Sequence, residues 1–122
     1  MTKRDDGRRW EAAAESFLRR EGLSTLERNY RCRLGEIDLV MRDGASLVFV
    51  EVRFRQRAGH GSGAESVTRA KQRRLARAAA VFLGQHPKWS ARPCRFDVVS
   101  IGLRDGSPQT DWIRNAFNAP DA

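Results

Sequence analysis

Two acidic residues interrupt stretches that otherwise read as apolar strands: Asp38 in Gly35-Glu36-Ile37-Asp38-Leu39-Val40, and Glu51 in Val48-Phe49-Val50-Glu51-Val52-Arg53. Side chains alternate along a strand. Glu36, Asp38 and Val40 are therefore expected on one face of the first stretch, and Leu47, Phe49, Glu51 and Arg53 on one face of the second. Asp43-Gly44 is a hairpin-turn signal between them. A two-residue turn there sets Asp38 opposite Phe49 and diagonal to Glu51, whereas a four-residue loop over 43–46 sets Asp38 opposite Glu51. Either register brings the carboxyl groups within about 5–8 Å. Two carboxylates held together among apolar residues demand a positive charge. A hard divalent cation, Mg²⁺ or Mn²⁺, completed by water and a substrate phosphate, is one answer. An ion pair with Arg53 or another arginine is the other.

The elements that must position these residues follow from pattern. Residues 8–21 read as a helix, with Trp10, Ala13, Ala14, Phe17 and Leu18 at helical spacing and Gly22 as a stop. Strands are expected over 24–31, 35–41 and 47–53, followed by a glycine-bearing loop over 55–63. A second helix runs from Thr68 to Leu83 and stops at Gly84, although Ser62–Glu65 also spells a capping box. Residues 94–101 read as a strand, and 111–117 as either a strand or a helix. The order α-β-β-β-α-β predicts an α/β domain, a central mixed sheet flanked by helices. On the second helix, Val67, Leu75, Ala78 and Phe82 mark the buried sector, and Lys71 falls inside it. Lys71 then either snorkels outward or reaches the end of the sheet. Gln72, Arg73 and Arg77 fall on the outer faces. His60 and His86 read as surface histidines, with a substrate contact as the alternative for His60. Asp97 beside Arg95 reads as a structural ion pair or backbone contact, with an active-site role as the alternative.

With 122 residues, one domain spanning 1–122 is the expectation, with 1–7 and 118–122 as flexible tails. The formal net charge is +8. Most of it lies between Arg53 and Arg77, which holds Arg53, Arg55, Arg57, Arg69, Lys71, Arg73, Arg74 and Arg77 against Glu65 alone. A localised excess of this kind is an electrostatic footprint for nucleic acid; a solvated basic face is the alternative. The longest apolar run, Ala78–Leu83, is far short of the ~20 residues a membrane span needs. The start MTKRDDGRRW has no apolar stretch typical of a secretory signal, and Cys32 and Cys94 form no metal pattern. A cytoplasmic protein with free, buried thiols is expected. No Walker loop, zinc motif or Ser/His/Asp arrangement is spelled out.

The paired strings around Asp38 and Glu51, followed by Arg95-Phe96-Asp97-Val98-Val99, resemble the YraN-like family of small bacterial proteins. That family is similar to the PD-(D/E)XK nuclease superfamily, close to the archaeal Holliday-junction resolvases. The resemblance runs from about Gly7 to Phe117. It implies a restriction-endonuclease-like fold and a metal-dependent phosphodiesterase site, in which Asp38 and Glu51 hold Mg²⁺ or Mn²⁺ with the Val52 carbonyl. Glu11 matches the acid that resolvases contribute from the first helix; a solvent-facing helix acid is the alternative. Where the superfamily pattern has lysine, this chain has Arg53, which can stabilise charge but cannot act as a base. Lys71, also favoured by the family pattern, is a substitute contact to phosphate or water. Arg55, Arg57, Arg69, Arg73 and Arg77 would hold the nucleic-acid backbone. The function implied is an endonuclease for structured or branched DNA, acting by analogy as a homodimer. Alternatives are a catalytically impaired nucleic-acid-binding module on the same scaffold, or a basic surface that meets an acidic protein.

Overall fold

The central hairpin shows how the chain folds back on itself. In a computed structural model, which describes residues 3–55 and 67–119 and side chains from Gly7 onward, Asp43 pairs with Ser46 across the residues Gly44 and Ala45. Gly44 takes φ of 60°, a left-handed conformation that glycine adopts without a Cβ clash. The turn is thus one residue later than the Asp43-Gly44 signal suggested. The strands it joins are β2 (Gly35–Asp43) and β3 (Ser46–Arg55), preceded by α1 (Lys3–Arg20) and β1 (Ser24–Cys32). After β3 come α2 (Arg69–Gln85), the short α3 (Pro87–Ser90), β4 (Cys94–Arg104) and β5 (Ser107–Phe117).

The five strands form one sheet in the order β1-β2-β3-β4-β5. Only the β3–β4 pair is parallel, with α2 in the connection between them; the other three pairs are antiparallel. The expected order of elements is therefore observed, and the layout is restriction-endonuclease-like. Alternation along β3 sorts the core into two layers. Leu47 and Phe49 pack with Leu75, Ala78 and Phe82 of α2, whereas Val48 and Val50 pack with Ala14 and Leu18 of α1. The helices thus cover opposite faces of the sheet, and the central strands are buried on both sides.

Several boundaries differ from the sequence expectation. Helix α1 begins at Lys3, inside the tail expected to be flexible, and Ala13 is exposed while Ala14 and Leu18 are buried. Helix α2 starts after the cap Thr68, whose Oγ1 accepts from the Lys71 N–H at 3.2 Å, and it runs through Gly84 to Gln85. The undecided segment 111–117 is the second half of strand β5. The cysteines are free but not buried: Cys32 is half-buried and Cys94 exposed. Gln72, assigned to an outer face, is half-buried and donates through Nε2 to the Val67 carbonyl at 3.1 Å. His86 caps α2, with Nδ1 2.9 Å from the Phe82 carbonyl oxygen and its ring stacked on Phe82. Arg57, His60 and the Ser62–Glu65 capping box lie outside the described residues. Among the described residues, no helix is long and apolar enough to cross a membrane.

Candidate active site

The β2–β3 pairing ends with Leu39 opposite Val50, in the register that would set Asp38 opposite Glu51. This is the arrangement of the four-residue-loop alternative. Past Leu39 the strands separate, and Asp38 Oδ2 instead accepts from the Val52 N–H at 2.8 Å. Alternation also breaks here. Ile37 and Val40 both pack in the layer under α2, and Leu39 and Met41 in the layer under α1. The expected shared face of Glu36, Asp38 and Val40 is thereby overturned: Glu36 is exposed and 3.4 Å from Arg31 Nε.

Across the sheet on β1, Asn29 sits at φ 51°, between Arg28 (opposite Leu39) and Tyr30 (opposite Ile37). Asparagine tolerates this left-handed conformation better than most residues. Its side chain lies beside Glu11 of α1 and favours the charged carboxylate, whereas the neighbouring Asp38 disfavours it. Glu11 is therefore half-buried against Asp38 and is no solvent-facing helix acid.

On the α2 side, Glu51 is 5% exposed. Lys71 Nζ lies 3.1 Å from its Oε1, while Arg53 Nη1 reaches the same oxygen only at 3.9 Å. Lys71 thus reaches the end of the sheet, the second of its two expected fates. Its placement follows from the Thr68 cap, which sets Lys71 in the first turn of α2, and from the burial of Val67 and Leu75 on either side.

The electrostatics of the group are strained. Burial, then the neighbouring Asp38 charge, pushes Glu51 up to about 7 in spite of Lys71. Burial, then the charge and hydrogen bond of Asp38, pushes Glu11 to about 7 as well. Burial also raises Asp38, opposed by the Val52 N–H and the Lys71 charge. Three carboxyl groups share this corner with more negative charge than their cations balance.

A cation would relieve that excess. The candidate donors are all oxygens, the Asp38 and Glu51 carboxylates and the carbonyl of Val52, whose N–H donates to Asp38, a set that suits Mg²⁺ or Mn²⁺. Among the described residues, no three His, Cys, Asp or Glu side chains gather closely enough to enclose a metal on their own. The fit is that of Mg²⁺, which takes one or two carboxylates and completes its shell with water and substrate phosphate.

The remaining candidates stand apart from this corner. Arg55 ends β3 opposite Gly102, and Arg69, Arg73 and Arg77 are exposed along α2. Asp97 is indeed structural. It accepts from Arg95 Nε at 3.0 Å, Trp112 Nε1 at 2.9 Å and the Asn115 N–H at 2.9 Å, and Arg95 also pairs with Asp43 at 3.0 Å. Sequence reasoning missed Asn29 altogether; its one signal is an asparagine inside a strand, where that residue is disfavoured.

The fold and this acidic corner define an α/β protein of restriction-endonuclease-like layout, with carboxylates from two adjacent strands and a helix converging beside a lysine. The family model described as "Uncharacterised protein family UPF0102" matches residues 10–101, and the chain belongs to that family. A UPF0102 protein of Pseudomonas aeruginosa (strain LESB58) is 50% identical over 97% of this chain and 96% of its own length. One of Ectopseudomonas mendocina (strain ymp) is 49% identical over 94% of this chain and 96% of its own. A third, of Pseudomonas savastanoi pv. phaseolicola (strain 1448A / Race 6), is 45% identical over 97% of both.

Proposed function

We propose that the protein is a metal-dependent endonuclease acting on structured or branched DNA. The observation that carries this reading is the placement of Glu51, between the Asp38 carboxylate and the Lys71 ammonium at 3.1 Å. A protein that only binds nucleic acid has no use for converging carboxylates, because they repel phosphate. Asp38 and Glu51, with the Val52 carbonyl, would hold Mg²⁺ or Mn²⁺, which when bound neutralises the scissile phosphate and acidifies water. Glu11 would hold or release a proton beside Asp38, its proton affinity set near neutral pH. Lys71 and Arg53 would offset the charge that develops on the phosphate. Arg55, Arg57, Arg69, Arg73 and Arg77 would grip the backbone and supply affinity without reading sequence. Cutting two strands of a branched substrate calls for two copies related by a two-fold axis. A cytoplasmic setting belongs to the same reading, as does membership of the PD-(D/E)XK superfamily.

The test is incubation with linear, flapped and four-way DNA in Mg²⁺ or Mn²⁺ against a chelator, with Asp38→Ala as the control for contaminating nuclease. Metal-dependent cleavage by the wild type and none by the variant is expected. No cleavage of any form would leave the second reading, a binding module that has lost activity. Arg53 in place of the usual lysine favours that reading. Lys71 weighs against it, because a lysine from α2 stands closer to Glu51 than Arg53 does.

A further inference from the structure

A cavity of ≈ 400 Å³ opens between the β1–β2 turn and the first turns of α2. Lys71 forms part of its wall, so it adjoins the acidic corner directly. Arg31, Arg33 and Arg74 add three further cations, against Glu36 as the acid. Arg31 is engaged by Glu36 and Lys71 by Glu51. Among the described residues, Arg33 and Arg74 have no acidic partner. Cys32 pairs with Gly35, which leaves Arg33 and Leu34 as the two turn residues, and Leu34 at the rim is 48% exposed.

The cavity has a built floor. A Cβ on Gly35 would lie 2.7 Å from the Arg74 carbonyl oxygen, closer than real Cβ atoms come to backbone. Only glycine lets the β1–β2 turn and α2 meet this closely. The turn and helix are therefore locked together, and the Arg33 and Arg74 side chains are presented from two rigid elements.

We propose that this cavity is the subsite for an unpaired nucleotide adjoining the acidic corner, so that the protein selects DNA in which one strand leaves the duplex. The proposal deepens the nuclease reading, on which it rests for the identity of the neighbouring site, and it concerns binding alone. Pockets of about 300–1,000 Å³ take small ligands. At ≈ 400 Å³ the cavity admits one nucleotide and excludes a duplex. Arg33 and Arg74 meet the flanking phosphates and present guanidinium planes on which a base stacks. Leu34 at the rim acts as an apolar wedge against the last paired step, as leucine does in proteins that part base steps. A base held in a duplex cannot enter, so the geometry discriminates by pairing state and not by sequence.

The experiment is fluorescence anisotropy on the full chain in EDTA, where no cutting occurs, with two DNA probes: a duplex bearing a single-stranded flap, and the same duplex fully paired. The wild type is expected to bind the flap about ten-fold more tightly, within what one stacked base supplies. Arg33→Ala combined with Arg74→Ala should bring the ratio close to one. Leu34→Ser, a change at an exposed turn, should lower the ratio several-fold and leave duplex affinity unchanged. Equal wild-type affinity for both probes would overturn the proposal. So would variants that weaken both probes by the same factor, the mark of a general phosphate contact. Flap preference without cleavage in metal sinks the nuclease reading and keeps the subsite. Cleavage without flap preference does the reverse.

Discussion

Two buried acidic centres lie one register step apart in this sheet and are treated in opposite ways. Asp97 is opposite Val50, and Val98 is opposite Glu51. Asp97 is 1% exposed, yet it is met by a guanidinium, an indole N–H and a backbone N–H. Asn115 presents that N–H from φ 50°, beside a bulge between Phe96 and Val98. At the other centre, Asn29 adopts a similar φ of 51°, but it meets only Glu11, one of three acids there with Asp38 and Glu51. Asp38 there receives one backbone N–H and the more distant charge of Lys71, whose ammonium sits on Glu51 with Arg53 farther off. The same fold can satisfy a buried carboxylate fully. Where it does not, the carboxyl groups keep raised proton affinities instead.

The largest expected effect tests the satisfied centre. Asp97→Ala would leave Arg95, the Trp112 indole N–H and the Asn115 N–H without their acceptor, and should cost about 3–5 kcal/mol in urea unfolding, as breaking a buried ion pair does. A cost no greater than that of an ordinary surface change would remove the contrast. At the acidic corner, Lys71→Met should reduce cleavage by roughly 10²–10³-fold, the range for losing one preorganised charge-stabilising donor. Arg53→Lys should stay within a few-fold of wild type. If Arg53→Lys is the damaging change and Lys71→Met the mild one, the two cations have exchanged the roles assigned to them.

A smaller effect is expected at the joint between turn and helix. Gly35→Ala places a methyl 2.7 Å from the Arg74 carbonyl oxygen and should cost about 1–3 kcal/mol, the usual range for overpacking. Unchanged stability would show that α2 yields there.

The smallest effect is the sharpest. With Glu11 and Glu51 raised from 4.5 to about 7, the folded protein holds protons between those pH values that the unfolded chain has released. Stability should therefore fall as pH rises through that window in the absence of metal, and level off above it. Glu11→Gln removes the repulsion with Asp38. Its melting temperature should exceed the wild type's by a few degrees at pH 8 and match it at pH 5. A wild type whose stability is flat between pH 5 and 7.5 would contradict the strained electrostatics of this corner.

Much of this corner was legible as pattern. Asp38 and Glu51 inside apolar alternating runs predict both the strands and their convergence, because a hairpin leaves few registers. The break of alternation at Asp38 was not legible. It lies opposite the left-handed backbone of Asn29 on the neighbouring strand, a conformation that no local propensity announces. Glu11 was indistinguishable from a surface helix acid until α1 was laid across the sheet. Lys71 could be placed on the buried sector of its helix, but not whether its ammonium turned inward. Strand β5 escaped because Pro108, Asp111 and Asn115 interrupt a half-exposed strand that carries no clear period of two. Arg31, Arg33 and Arg74 line one cavity wall only because α2 approaches the turn at Gly35.

The central claim is that the acidic corner is short of positive charge and takes a divalent cation, and thermal unfolding in increasing Mn²⁺ at pH 7.5 tests it most directly. A ligand that binds only the folded state adds about 2.7 kcal/mol at a hundred-fold excess over its Kd. The wild-type melting temperature should therefore climb by several degrees with Mn²⁺, and Asp38→Ala should not respond. A wild-type melting temperature indifferent to millimolar Mn²⁺ would contradict the claim.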